Sequence, residues 1–126
     1  MEGVWFFPII NMRNKDEAMK LWLHEMGDKE YTYDFAGKKI KRSDYLVDNQ
    51  VGWVISFLKP LELGGKDNIG NIIIMHHSTF EEKAMQFPKL VIFDQEYHVH
   101  YSAKDDYYYI EKILPDVEED DDGVFM

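Results

Sequence analysis

Two pairs of histidines are the residues whose types and spacing carry the most specific chemistry in this chain. His98 and His100 stand two apart within the stretch Glu96-Tyr-His-Val-His-Tyr-Ser102, and His76-His77 lies about twenty residues upstream. On a strand alternate side chains share a face, so His98 and His100 would point together, about 6.6 Å apart along the strand. With a third imidazole from His76 or His77 they would give zinc, or another divalent metal, three nitrogen ligands and an open position for water. Asp94 or Glu96 would orient a ring from behind. That arrangement describes a metal-binding protein or a hydrolase.

The same stretch has a plainer reading. Phe93, Tyr97, Val99 and Tyr101 form one apolar face, while Asp94, Glu96, His98, His100 and Ser102 form the other, as on a half-buried antiparallel strand without metal. No His-Glu-x-x-His pair or other fixed ligand spacing supports the metal, which stands as the alternative. A single-metal nuclease would need a hairpin and then a helix bearing the last ligand, yet the last histidines fall in the strand pattern. No Gly-x-Ser-x-Gly turn marks a serine nucleophile. Gly64-Gly65-Lys66 to Gly70 lacks the phosphate-loop spacing and reads as a hairpin connection. Lys38-Lys-Ile-Lys-Arg42 reads as an edge strand guarded by lysines.

Charge is the larger signal. The chain has 24 acidic and 14 basic residues, net −10. Residues 94–126 hold eleven of the acids against only Lys104 and Lys112. Such a field repels nucleic acid and anionic membrane, whose binders gain affinity from cationic contacts, and favours a basic protein. Tyr97, Tyr101 and Tyr107 to Tyr109 are interleaved with the acids and supply contact anchors. Carboxylates on alternate strand positions would repeat at about 6.6 Å, a spacing suited to mimicking nucleic-acid phosphates.

The leading expectation is therefore a non-enzymatic acidic binding module without a cofactor. Its partner would be a basic protein, and one form of this reading is a viral inhibitor that fills the basic cleft of a host nucleic-acid-binding protein. The binding residues would be Asp94, Glu96, Asp105, Asp106, Tyr107, Tyr109 and Glu111, continued by Asp116, Glu118, Glu119, Asp120, Asp121 and Asp122 in a solvated tail. Gly123-Val-Phe-Met126 would add a short apolar end.

The elements that must position these residues follow from pattern. The 126 residues match one domain, read as 1–115 with an acidic tail over 116–126. Absence of cysteine excludes a disulfide framework and thiolate ligands, and a cytoplasmic location is expected. Asn14 and Glu17 form a capping box ahead of Ala18, Leu21, Trp22 and Met26, and Gly27 closes the helix, which predicts an amphipathic helix over 15–26. Ser78 or Thr79 with Glu81 or Glu82 predicts a second, short helix over about 79–87, stopped by Pro88. Strands are predicted at 4–10, 31–35, 38–42, 52–58, 72–75, 90–93, 97–102 and 107–113. Short connections make neighbours antiparallel. The expected fold is α+β: a mainly antiparallel sheet of about six to eight short strands, one face packed by the first helix and the other partly wet.

Overall fold

A computed structural model describes residues 13–115. The strand expected at 4–10 and the acidic segment 116–126 lie outside these residues. The fold is α+β, with two helices and seven strands in the described residues. Helix α1 spans Lys15–Met26, and Asn14 and Glu17 exchange the two bonds of a capping box before Gly27 ends it at φ 75°. Strands β1 (Tyr31–Tyr33) and β2 (Lys39–Lys41) form a hairpin. Strands β3 (Trp53–Phe57) and β4 (Ile72–His76) pair antiparallel across a long connection containing 3-10 turns at Leu61–Leu63 and Ile69–Asn71. Helix α2 (His77–Lys83) follows β4 directly. Strands β5 (Lys89–Ile92), β6 (Gln95–Ser102) and β7 (Tyr107–Lys112) form a three-stranded antiparallel meander.

The strands fall into three small sheets rather than one continuous sheet. Strand β3 explains the arrangement, because all five of its residues are buried. Ala18, Leu21 and Trp22 of α1 cover the side bearing Trp53 and Ile55. Phe80 of α2 packs with Val54 and Met75 on the other side. A strand buried on both faces reads as a near-continuous apolar run, and Trp53-Val-Ile-Ser-Phe57 is apolar but for the buried Ser56. The rings of Trp22 and Trp53 sit 5.0 Å apart, and each indole N–H donates to a carbonyl, Lys29 O at 3.0 Å and Lys41 O at 2.8 Å. A second core cluster holds Leu58, Leu90, Ile92, Tyr97 and Val99 beneath the meander.

The second helix departs from its sequence pattern. It starts at His77 and stops at Lys83, before Pro88, and its cap is the His76 ring rather than a Ser or Thr hydroxyl. Strand β4 runs straight into the helix, so the last strand residue is the one placed to receive the Ser78 N–H, at 3.0 Å. The early end is set by Ala84 at φ 48° and by Gln86. The Gln86 amide donates to Glu82 O and Val91 O and accepts from Val91 N, folding the chain back onto β5.

Candidate functional site

The register of β6 and β7 assembles the polar face that the sequence pattern points to. His98 lies opposite Glu111, His100 opposite Tyr109 and Ser102 opposite Tyr107, while Lys89 and Val91 of β5 flank His98 and Glu96. Four rings run along this face in contact order: His98 to His100 at 6.4 Å between centroids, His100 to Tyr109 at 5.2 Å, and Tyr109 to Tyr107 at 5.8 Å. Tyr107 and Tyr109 are nearly half exposed. Each histidine on the ladder has its own carboxylate, Glu96 at 2.8 Å from His98 Nε2 and Glu111 at 2.7 Å from His100 Nε2.

The other acidic positions are dispersed. Asp94 occupies the two-residue β5–β6 turn with Phe93, both at positive φ, as a hairpin of primed type requires. That turn lifts Phe93 off the apolar face, leaving it 41% exposed. Asp105 and Asp106 lie in the β6–β7 turn at the opposite end of the eight-residue strand. Asp106 accepts from the Tyr101 hydroxyl at 2.7 Å, and that bond raises the Tyr101 phenol. Asp116, Glu118, Glu119, Asp120, Asp121 and Asp122 are outside the described residues. Among the described residues the carboxylates do not form a row on alternate strand positions, and the rings are the continuous feature.

The four histidines of the metal alternative stand as two separate pairs. His76 and His77 stack on each other at 4.3 Å at the start of α2, and their Nε2 atoms face backbone carbonyls, Gln50 O at 2.9 Å and Asn49 O at 2.6 Å. His76 Nδ1 accepts from Ser78 N–H, so Nε2 carries the proton and both ring nitrogens serve the fold. Burial holds the His76 imidazole below its ordinary range, the Gln50 bond opposing this. His98 and His100 are committed to carboxylates on the meander. Among the described residues no three His, Asp or Glu side chains are grouped to hold a metal ion, and none of the described helices is long and apolar enough to cross a membrane.

Two polar residues that the sequence pattern does not single out organise these surroundings. Asp34 is 6% exposed, and its carboxylate accepts from Ala36 N at 3.0 Å, Lys38 N at 2.9 Å and His76 N at 3.0 Å. It thereby fixes the β1–β2 turn and ties that hairpin to the end of β4. Asn71 is 1% exposed, and its amide accepts from Lys59 N while donating to Lys59 O and Lys66 O, all within 2.9 Å. The Asp34-Phe-Ala-Gly37 turn carries a local signal for the first, since Asp favours bonding its own backbone two residues on. Asn71 has no such signal, because its partners are five and twelve residues away. No protein-family model, no curated protein and no solved structure matches this chain.

Proposed function

We propose that the chain is a non-enzymatic binding module for a basic protein, engaged through the polar face of β6 and β7. The observation that carries this reading is the ladder of half-buried His98 and His100 and exposed Tyr109 and Tyr107 on a regular sheet, edged by Glu96 and Glu111. Tyrosine rings on a rigid strand give contact area at low entropic cost, and flanking carboxylates favour lysine and arginine on the partner. Asp94 and Asp105 extend the negative field at the two ends of the sheet. Mimicry of a phosphate row would rest on Asp116 and Glu118 to Asp122, since the described carboxylates are not aligned.

The test is a titration against a histone octamer as a defined basic probe. Binding is expected to weaken steeply between about 50 and about 500 mM salt, as the Debye length shrinks toward a few ångströms. A Tyr107→Ala, Tyr109→Ala variant is expected to bind at least about tenfold more weakly, as for interface aromatic anchors. Salt-insensitive binding would remove the electrostatic premise, and a tyrosine variant that binds like the parent would remove this face.

A further inference from the structure

The opposite side of the meander carries a different kind of site. A cavity of about 250 Å3 lies between the β3–β4 connection and the β6–β7 end, lined by Lys59, Lys66, Asn71, Tyr101, Asp106 and Tyr108. Tyr101 and Tyr108 are cross-strand partners with ring centroids 4.7 Å apart. They occupy the face away from the His98 to Tyr107 ladder, so this cavity is independent of the binding surface proposed above.

Its frame brings the Lys59 and Lys66 backbones together at one wall of the cavity. The buried Asn71 amide donates to the carbonyls of both Lys59 and Lys66, so one side chain fixes two backbones seven residues apart. Gly65 lies where a Cβ would be 1.9 Å from Lys59 O, and only glycine allows the connection to fold back so closely. Gly70 lies where a Cβ would be 2.3 Å from Asp106 O, which lets the β6–β7 turn dock against the connection as the far wall. The Lys59 ammonium stands 5.6 Å from the centre of the Phe87 ring. Among the described residues neither Lys59 nor Lys66 is in an ion pair, although the chain is strongly acidic. Asp106, the one carboxylate of the wall, already accepts from Tyr101.

We infer that this cavity binds a small phosphorylated polyol of the sugar-phosphate class. Lys59 and Lys66 receive the phosphate as two point charges. Asp106 keeps acceptor capacity for a hydroxyl, since an ionised carboxylate has about four acceptor sites and Tyr101 uses one. The Tyr101 and Tyr108 rings offer an apolar wall to the carbon skeleton. The volume lies just below the roughly 300–1,000 Å3 of drug-sized sites, which suits one sugar phosphate and leaves no room for a dinucleotide.

The test is amide shift mapping of the full chain with ribose 5-phosphate, ribose and inorganic phosphate as separate probes. Ribose 5-phosphate is expected to give saturable shifts at Lys59, Lys66, Asn71 and Tyr108 with a Kd at or below about 1 mM. Inorganic phosphate is expected to bind about tenfold more weakly and ribose not at all. Lys59→Gln and Lys66→Gln should each weaken ribose 5-phosphate about tenfold. Asp106→Asn should weaken ribose 5-phosphate while leaving inorganic phosphate unchanged. Lys66 is exposed, so its substitution leaves the melting temperature in place and separates binding from folding. Lys104→Gln, outside the cavity lining, should alter neither ligand. Absence of saturable shifts, a Lys66→Gln variant that binds like the parent, or equal affinity for phosphate and its sugar ester would each overturn the inference.

Discussion

Replacing Asp34 gives the sharpest measure of how this fold is held. Its carboxylate is buried and serves three backbone N–H groups, two in its own turn and one at His76, forty-two residues away. In Asp34→Ala all three donors lose their acceptor. A buried donor left unsatisfied costs about 1–3 kcal/mol, and the two turn donors are only part-buried, so the expected loss is about 3–5 kcal/mol. Asp34→Asn keeps one oxygen for the turn but places an NH2 group against His76 N–H, with an expected loss of about 2 kcal/mol. Both are read from urea unfolding followed by circular dichroism, with hydrogen exchange at residues 31–41 reporting whether the hairpin has detached. An Asp34→Ala variant within about 0.5 kcal/mol of the parent, the range of ordinary surface substitutions, would refute this account of the carboxylate.

Two further outcomes follow from buried titratable groups. Lys83 is 1% exposed, and burial alone pushes its amine down to about 8. The charge is carried in both folded and unfolded states below that pH, so the penalty is complete at pH 7 and fades as pH rises from about 8 toward 10.5. Lys83→Met is expected to stabilise the protein at pH 7 by about 2–3 kcal/mol and to flatten stability between pH 8 and 10, and a destabilised variant would refute the reasoning. His76 is held neutral by burial, so the unfolded chain takes up its proton first as pH falls below 6.5. Unfolding midpoints should therefore drop between pH 7.5 and 5.5, less so in His76→Asn, where an amide keeps the cap and does not titrate; equal slopes would exclude His76 as the cause.

The first helix was legible because its signals are local: a reciprocal cap at Asn14 and Glu17, a 3.6-residue apolar stripe and a glycine stop all sit within fourteen residues. The positions of the seven described strands were legible for the same reason. The second helix is legible in kind and place but starts earlier than its hydroxyl caps suggest, because the capping histidine's advantage is positional, the end of a strand that feeds the helix directly. It ends before Pro88 because Gln86 binds backbone on both sides of the turn first. For the site, alternation along β6 put His98 and His100 on one face, but the partners that complete the ladder, Tyr109 and Tyr107, depend on register across a hairpin. The cavity was the least legible feature, since Asn71, Lys59 and Lys66 meet only through a side chain that bonds backbone far from itself in sequence.

Every strand in the described fold pairs with its immediate neighbour in the sequence: β1 with β2, β3 with β4, and β5 through β7 in order. The β1–β2, β5–β6 and β6–β7 pairings close short turns and β3–β4 a longer connection, and the entropy of closure grows only slowly with loop length. Pairing between sequence neighbours lowers contact order, and low contact order goes with rapid folding. The three sheets are joined through α1, α2 and the Asp34 bridge to His76. Within these sheets only β6 is paired on both sides, so cover for the remaining edges of the described strands comes from the docking of the units and not from the pairing itself.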